Sequence, residues 1–199
     1  MGICMEKNAS IGKLELRNRF LGYRNSLSKE ERREKSARVW ENLKKEAAFQ
    51  EAEAVLVYMD YRSEVITTGL VEELFCAGTK RVFAPRVEGM NVQFYEVSGM
   101  EDFEAGYQGI REPRILPEKL FGREMAQGIK SLILVPGAVF DREKGRMGYG
   151  KGFYDRYLTA FPEITSAGLA FECQIAKRVP MDTKDVRMDM VITDVEVIR

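Results

Sequence analysis

The sequence predicts an α/β protein with three layers, α/β/α, in which helices cover both faces of a mainly parallel, Rossmann-like sheet. Short apolar runs alternate along the chain with longer helical patterns. The run from Leu132 to Val135 has no polar position, as expected for a strand that is buried on both faces. The 199 residues suit one hydrophobic core, and neither a repeat nor a linker divides them, so we expect a single domain over 1–199.

The first quarter of the chain is predicted to be helical. One side of the first helix carries apolar residues at roughly helical spacing, namely Ile11, Leu14, Phe20 and Leu21. A second helix begins at Ser28-Lys29-Glu30-Glu31, which has the pattern of a capping box. We expect this helix to run toward Phe49.

A strand-helix-strand unit is predicted next. A buried strand over 55–59 is followed by a loop that carries Glu64. Thr68 is expected to cap a helix that stops at Gly78, and 81–84 begins the next strand.

The second half of the chain continues the alternation. A strand with one wetter face is predicted over 92–97, and 99–128 is predicted to be irregular. The remaining elements are a strand over 132–135, a helix over 152–161, a strand over 167–171 and a last strand over 191–198.

Charge and composition exclude several classes of partner. Basic and acidic residues number 31 each, so the protein as a whole does not attract nucleic acid or a membrane surface. The longest apolar stretch contains Pro136 and Gly137 and is far shorter than the ~20 residues of a membrane span. The start at Met1 lacks a basic segment followed by an apolar one. We therefore expect a cytoplasmic protein that binds neither nucleic acid nor a membrane. We also expect a monomer, although the composition does not decide this.

Cysteine and histidine usage narrows the chemistry further. Cys4, Cys76 and Cys173 are widely separated, which argues against a disulfide framework and against a zinc site. The sequence has no histidine, so a Ser-His-Asp triad and a Cys-His pair are excluded. Acid-base work must come from carboxylates, lysine, tyrosine or the substrate.

A glycine-rich basic loop between the strand at Val135 and the following helix predicts a phosphate site. The loop reads Arg146-Met147-Gly148-Tyr149-Gly150-Lys151-Gly152-Phe153-Tyr154. Glycine lets backbone N–H groups approach a ligand, and a helix N-terminus favours anions. The Arg146 guanidinium and the Lys151 ammonium add full charges that suit polyphosphate. The alternative interpretation is a surface loop whose glycines only join a strand to a helix.

Two familiar nucleotide motifs do not fit this loop. Gly145 to Lys151 matches G-x-x-x-x-G-K, but Gly152 replaces the Ser or Thr that holds magnesium, and Gly145 comes ten positions after the strand ends at Val135. The dinucleotide fingerprint needs a glycine at Phe153. The spacing thus favours neither a P-loop NTPase nor a Rossmann dehydrogenase.

Several motifs in one order resemble the 5-formyltetrahydrofolate cyclo-ligase family, whose members are also called 5,10-methenyltetrahydrofolate synthetases. They are the Lys13 and Arg17 pair, Tyr58 followed by Glu64-Val65-Ile66-Thr67, Gly109-Ile110-Arg111-Glu112-Pro113, Leu134-Val135-Pro136-Gly137 with Phe140-Asp141, the loop from Arg146 to Asp155, and Gln174 before Asp185 and Asp189. The resemblance covers nearly the whole chain. It implies that ATP and 5-formyltetrahydrofolate give 5,10-methenyltetrahydrofolate, ADP and phosphate through a phosphorylated formyl group.

The resemblance also implies roles for individual residues. Arg146, Lys151 and Glu64 would be catalytic. ATP would be bound by Lys13, Leu14, Glu15, Leu16, Arg17 and the loop from Arg146 to Tyr154. The folate substrate would be bound by Met59, Glu64, Tyr149, Gly150, Lys151, Gly152 and Phe153. Asp155 and Asp185 would bind Mg²⁺, which prefers hard oxygen ligands.

The sequence departs from the family pattern at three positions. Members often have an acid before the Pro-Gly strand, a histidine before the later aspartate and paired tyrosines in the loop, where this chain has Ser131, Lys184 and Phe153. Lys184 is expected to pair with Asp185 and to compete with magnesium.

Two alternative functions remain open from the residues. One is a small-molecule kinase that uses the same loop to transfer phosphate to a hydroxyl group. The other is a protein that binds a nucleotide or a folate without catalysis. Ordinary structural roles are also open for the site residues: Asp155 can favour a helix dipole, Glu64 can be a solvated loop acid, and Lys13 and Arg17 can be an i,i+4 pair on an exposed helix.

Overall fold

The structure, a computed structural model, describes residues 12–199. Ile11, which the sequence placed on the first helix, lies outside the described residues. The helices are α1 (Lys13–Asn25), α2 (Lys29–Lys45), α3 (Ala47–Gln50), α4 (Thr68–Ala77), α5 (Arg123–Gly128) and α6 (Phe153–Ala160). The strands are β1 (Ala54–Leu56), β2 (Arg81–Glu88), β3 (Asn91–Val97), β4 (Phe103–Ala105), β5 (Arg111–Pro113), β6 (Ser131–Val135), β7 (Val139–Asp141), β8 (Arg146–Met147), β9 (Thr165–Leu169), β10 (Ile175–Ala176), β11 (Met190–Ile192) and β12 (Val197–Ile198).

The main sheet is mainly parallel. Within the described residues its strand order is β12-β11-β9-β6-β1-β2-β3. The five central strands pair in parallel, whereas β3 and β12 pair in antiparallel orientation at the two edges. The strands β2 and β3 follow β1 in the chain and extend the sheet on one side. The strands β9, β11 and β12 follow β6 and extend it on the other side. The strand order therefore reverses between β1 and β6, which places a switch point at their carboxyl ends.

Helices cover both faces of this sheet, as the alternation along β6 shows. Leu132 and Leu134 pack in one core cluster with side chains of α2 and α4. Ile133 and Val135 point to the other face and pack with side chains of α5 and α6. All four side chains are fully buried. The predicted three-layer α/β fold is confirmed, and so is the parallel β1-α4-β2 unit.

The capping box predicted at Ser28 is present. The Ser28 hydroxyl accepts the backbone N–H of Glu31, and the Glu31 carboxylate accepts the N–H of Ser28. The helix does not continue to Phe49, because Glu46 adopts an extended conformation and separates α2 from the short α3.

Asp60, not Thr68, caps α4. The Asp60 carboxylate accepts the backbone N–H groups of Thr67 and Thr68, each at 2.9 Å, and the hydroxyl of Thr68 at 2.8 Å. Thr68 is thus the first helical residue, and its hydroxyl contacts the cap. Gly78 ends the helix at φ 60°, as predicted. The cap fixes the start and end of the loop that carries Glu64.

Two predictions for the second half were wrong in detail. The segment 191–198 forms two antiparallel strands, because Thr193 and Glu196 close a tight turn between them. The segment 99–128 is not wholly irregular, since it contains the hairpin of β4 and β5 and the helix α5.

A second, small sheet with strand order β10-β7-β8 carries α1. Leu16 of α1 packs against Val139, Met147 and Ala176, one from each strand of this sheet. Leu14, predicted on the apolar side of the helix, is 66% exposed. The predicted apolar side is thus correct at Phe20 and Leu21, which pack partly buried against the same cluster, and wrong at Leu14.

Two properties expected from composition can be compared with the described chain. None of the helices in residues 12–199 is both long and apolar enough to cross a membrane. Cys76 and Cys173 are free thiols, and Cys4 lies outside the described residues.

Candidate active site

A cleft of about 600 Å³ opens at the carboxyl ends of β1 and β6. Its floor includes Tyr58 and Met59, which follow β1, and Pro136, which follows β6. Open α/β sheets bind ligands where the strand order reverses, and this cleft lies at that point. A volume of this size is typical of small-molecule sites.

One face of α1 forms a basic wall of the cleft. Lys13, Arg17 and Arg24 all line it, together with Leu21 between them. Their spacing keeps them on one side of the helix. Because α1 packs on the small sheet, it lies over the glycine-rich loop, as the predicted roles of Lys13 and Arg17 require.

Arg146 lies in β8 and not in the loop, and it is only 4% exposed. Its Nη2 donates to Asp155 Oδ2 at 2.7 Å, and its Nη1 donates to the carbonyl oxygen of Pro136 at 3.2 Å. The buried Nε has no hydrogen-bond partner among the described residues. A buried guanidinium with an unused N–H group and a place in the cleft wall is well suited to bind an anion.

A buried carboxylate sets the turn that precedes Arg146. Asp141, 1% exposed, accepts backbone N–H groups of Glu143 at 3.0 Å, Gly145 at 2.7 Å and Val179 at 2.6 Å. These bonds close the turn between β7 and β8 and join it to the segment after β10. Asp141 thereby positions the strand on which Arg146 lies.

Glycine is required in the loop for two different reasons. Gly150 has φ +96°, which L side chains rarely adopt, and its Cα faces the Arg17 guanidinium. Gly148 is not in this range of positive φ, but a Cβ there would come within 2.9 Å of Arg146 Nη1. The loop therefore keeps its backbone close to two arginine side chains.

Lys151 and the two aromatic residues after it also line the cleft. Lys151 is exposed, and its ammonium pairs with none of the described carboxylates. Phe153 and Tyr154 begin α6, and the Arg146 guanidinium lies 5.8 Å from the centre of the Tyr154 ring. The loop thus presents a free cation beside aromatic surface.

Glu64 is a buried acid in the cleft, not a solvated loop residue. It is 7% exposed, and its two oxygens accept from the Tyr149 hydroxyl at 2.5 Å and from the backbone N–H of Tyr61 at 3.0 Å. Burial raises the pKa of Glu64 above its usual value, although these two hydrogen bonds and the charge of Arg24 oppose the rise. A carboxylate in this setting can accept a proton or a hydrogen bond from a ligand.

Arg24 is a cleft residue that the sequence did not reveal. It is 3% exposed, and its Nη1 donates to the Tyr149 hydroxyl at 2.7 Å. The available signal was its spacing, because Arg24 follows Arg17 by two helical turns. Without knowledge of the side on which α1 packs, that spacing also fits a solvated helix.

The two predicted metal ligands lie in the same cleft, and each pairs with a cation. Asp155 pairs with Arg146, and Asp185 accepts from Lys13 Nζ at 2.8 Å. The backbone N–H of Val186 donates to Asp155 at 3.3 Å, so the Asp155 carboxylate is close to the Asp185 segment. Burial acts to raise the pKa of Asp185, but hydrogen bonds from the Asp182 backbone and from Lys13 hold it below the usual value.

Lys13, not Lys184, is the cation that pairs with Asp185. Lys184 is exposed and makes no ion pair within the described chain, whereas Lys13 reaches Asp185 because α1 lies over this turn. No cluster of three or more acidic, cysteine or histidine side chains that could hold a metal occurs in residues 12–199. Two carboxylates nevertheless fit Mg²⁺, which commonly uses one or two carboxylates together with substrate phosphates.

Most of the site residues implied by the sequence meet in this one cleft. They are Lys13, Arg17, Met59, Glu64, Arg146, Met147, Gly148, Tyr149, Gly150, Lys151, Gly152, Phe153, Tyr154, Asp155 and Asp185. Three residues assigned to ATP do not line it: Leu14 and Glu15 are exposed, and Leu16 is buried against the small sheet.

The fold and the cleft define an α/β protein with a basic, glycine-lined crevice at the switch point of its sheet. The model of the 5-formyltetrahydrofolate cyclo-ligase family matches residues 9–194. The chain belongs to this family, and the resemblance identified in the sequence is confirmed.

Known proteins similar to this chain agree with that assignment. A Caenorhabditis elegans protein named probable 5-formyltetrahydrofolate cyclo-ligase is 30% identical over 197 residues, which cover 94% of each chain. The NMR structure of Aquifex aeolicus 5,10-methenyltetrahydrofolate synthetase is 35% identical, with a TM-score of 0.77 over 94% of this chain and 92% of that one. A Mycoplasma pneumoniae 5,10-methenyltetrahydrofolate synthetase, 23% identical, has a TM-score of 0.71 over 92% of this chain and 98% of that one, which shows the fold alone.

Proposed function

We propose that this protein converts 5-formyltetrahydrofolate and ATP into 5,10-methenyltetrahydrofolate, ADP and phosphate. The observation that carries the proposal is that one cleft holds both a set of cationic groups for a polyphosphate and a buried carboxylate, Glu64. Membership of the cyclo-ligase family supports the choice of substrate.

In the first step the formyl oxygen attacks the γ-phosphorus of ATP, the bond to ADP breaks, and an iminium phosphate forms. A formamide oxygen is electron-rich, so this step needs alignment and charge neutralisation more than a strong base. Arg17, Arg146 and Lys151 line the cleft and supply positive charge to the phosphates. The chain has no histidine, which is consistent with a step that needs no imidazole.

Asp155 and Asp185 are the residues that would hold Mg²⁺, and the ion would offset part of the phosphate charge. Both carboxylates are paired with cations in the protein alone, with Arg146 and Lys13 respectively. We expect these two cations to turn toward phosphate oxygens when the nucleotide binds. Arg146 and Lys13 would thus pair with the carboxylates in the free protein and with the phosphates in the nucleotide complex.

In the second step N10 of the folate attacks the activated formyl carbon, loses its proton, and phosphate leaves. Glu64 would accept the N10 hydrogen, and its burial in the cleft and its raised pKa support this role. Met59 and Phe153 supply apolar surface for the folate rings. These residues orient N10 and exclude water from the reactive phosphate.

A turnover assay of the purified protein tests the proposal. With ATP, magnesium and 5-formyltetrahydrofolate, we expect near-ultraviolet absorbance of the methenyl product and an equal amount of ADP, and neither when one substrate is omitted. A small-molecule kinase predicts ADP without the methenyl product when a hydroxyl acceptor is supplied. A non-catalytic binding protein predicts thermal stabilisation by ligand without ADP. Either result would overturn the proposal.

A further inference from the structure

Arg24 is a buried arginine whose contacts point toward the reaction site. Its Nε donates to Ser63 Oγ at 3.0 Å, and its Nη1 donates to the carbonyl of Gly137 at 3.2 Å and to the hydroxyl of Tyr149 at 2.7 Å. It is 3% exposed, and no carboxylate forms an ion pair with it among residues 12–199. A buried charge without a direct counter-ion is costly, so it needs a function or a compensating group.

The nearest compensating group is reached through a tyrosine. An arginine has no acceptor, so the Tyr149 oxygen must accept from Arg24. The single hydroxyl hydrogen of Tyr149 is then left to point at Glu64 Oε1, 2.5 Å away. The Arg24–Tyr149–Glu64 chain therefore has one direction of donation, and it ends on a carboxylate that acts as an acceptor.

The other oxygen of Glu64 is also held as an acceptor. It receives the backbone N–H of Tyr61, so both oxygens are bonded in a way that favours the ionised form. Burial works in the opposite direction. The balance between these effects decides whether Glu64 can take a proton at neutral pH.

We propose that Arg24 is a positioning residue that acts through Tyr149 to keep Glu64 ionised and oriented for the proton of N10. This rests on the proposed cyclo-ligase function. Arg24 would not touch the reacting atoms. Its charge and its hydrogen bond would fix the Tyr149 hydroxyl, and that hydroxyl would fix the base.

The groups that face Glu64 come from several elements, and all must be considered in a pH-dependent effect. They are Arg24 from α1, Tyr58 and Asp60 after β1, Tyr149 in the loop and Tyr154 in α6. Arg24 lowers the pKa of Glu64, whereas Asp60 raises it. Burial raises the pKa of each of the three tyrosines, so they remain neutral donors near physiological pH.

The pH dependence of kcat/KM tests the role of Arg24. In the wild type we expect kcat/KM to fall at acidic pH as Glu64 is protonated, and this acidic limb should be absent in Glu64→Gln. In Arg24→Gln the midpoint of the limb should move to higher pH by about one unit. Arg24→Lys keeps the charge and should restore part of the shift. Arg19→Gln, on the exposed side of the same helix, should leave the limb in place. An Arg24→Gln enzyme with lower activity but an unmoved limb would overturn the proposal, because Arg24 would then be merely structural.

A double substitution tests the path through the tyrosine. If Arg24 acts through Tyr149, Arg24→Gln should move the limb less in a Tyr149→Phe background than in the wild-type background. An equal shift in the two backgrounds would contradict the relay.

Thermal unfolding at several pH values gives a readout that does not need turnover. We expect the loss of Arg24 to raise the pKa of Glu64 further. The stability that Arg24→Gln loses relative to wild type should therefore grow as pH rises from about 4.5 to neutrality. In a Glu64→Gln background the deficit should be independent of pH. If the stability loss of Arg24→Gln grows with pH but the wild type makes no methenyl product, only the proposed function is rejected. A flat deficit in a protein that turns over would reject the role of Arg24 alone.

Discussion

The Lys13 ammonium lies 2.8 Å from the Asp185 carboxylate and 2.7 Å from Asp182. The first helix is thereby joined to a turn more than 160 residues away in the chain. Because Lys13 also lines the cleft, it is shared between a carboxylate proposed to bind magnesium and the nucleotide proposed to bind beside it. The pair is partly exposed, so its effect on stability is small, and its importance lies in ligand binding.

Lys13→Gln should have opposite effects on ATP and on magnesium. Loss of the charge removes a contact to phosphate, so the KM for ATP should rise. Loss of the competing ammonium frees Asp185, so half-maximal turnover should need less magnesium at saturating ATP. Steady-state titrations of each ligand measure the two effects. Lys29→Gln, at the exposed start of α2, is the matched control and should change neither. A rise in the magnesium requirement would contradict the shared role of Lys13.

Lys151→Ala should slow turnover strongly. Lys151 is an unpaired cation of the described cleft, and loss of one group that stabilises developing charge typically lowers kcat by about 10²–10³-fold. Lys29→Ala serves as the control for removing an exposed lysine. Single-turnover kinetics at saturating ATP measure the effect on chemistry. Wild-type rates in Lys151→Ala would remove this residue from the phosphate site.

Gly150→Ala should destabilise the protein and impair nucleotide binding together. An alanine at φ +96° is strained by about 1–3 kcal/mol, although its methyl group would be in ordinary contact with the Arg17 guanidinium at 3.5 Å. Gly22→Ala is a matched control, because Gly22 lies inside α1 with no atom near a new Cβ. That change should stabilise the protein by about 0.5–1 kcal/mol. Denaturant unfolding of both variants, with and without nucleotide, makes the comparison. Equal stability of the two variants would show that the loop does not need its backbone conformation.

Much of the fold was predictable because its signals are local. The uninterrupted apolar run of β6, the capping box at Ser28 and the stop at Gly78 each depend on neighbours in sequence. The predicted cap at Thr68 was wrong because the carboxylate of Asp60, eight residues earlier, accepts the backbone N–H and the hydroxyl of Thr68. The turn within 191–198 was missed because the five apolar residues of this segment, although Thr193, Asp194 and Glu196 interrupt them, also fit a single strand.

The candidate site was less predictable, because its parts meet only through tertiary packing. Most residues that the resemblance implied line the cleft, but Leu14, Glu15 and Leu16, which lie between Lys13 and Arg17 in sequence, do not, and Arg24 was missed. The side of α1 that packs on the small sheet decides this, and the local apolar pattern, which included the exposed Leu14, reveals it only in part. The pairing of Lys13 with Asp185 depends on the same packing.

Glu64→Gln should change how stability depends on pH. The folded-state pKa of Glu64 is raised above 4.5 by burial, so the wild-type protein binds this proton more tightly than the unfolded chain. That contribution is complete below pH 4.5 and is lost as pH rises through the raised pKa. The stability of Glu64→Gln relative to wild type should therefore improve from pH 4.5 toward neutrality. Thermal unfolding over this range measures the difference, and a constant difference would mean that the pKa of Glu64 is not raised.

The most direct test of the central claim follows the formyl oxygen. If that oxygen attacks the γ-phosphorus of ATP and later leaves with the phosphate, 5-formyltetrahydrofolate labelled with heavy oxygen in the formyl group must yield inorganic phosphate with one heavy oxygen. Mass spectrometry measures the label in the inorganic phosphate that is released during turnover with ATP. We expect one labelled oxygen in each phosphate formed. Unlabelled phosphate released together with the methenyl product would contradict activation of the formyl oxygen by ATP in this cleft.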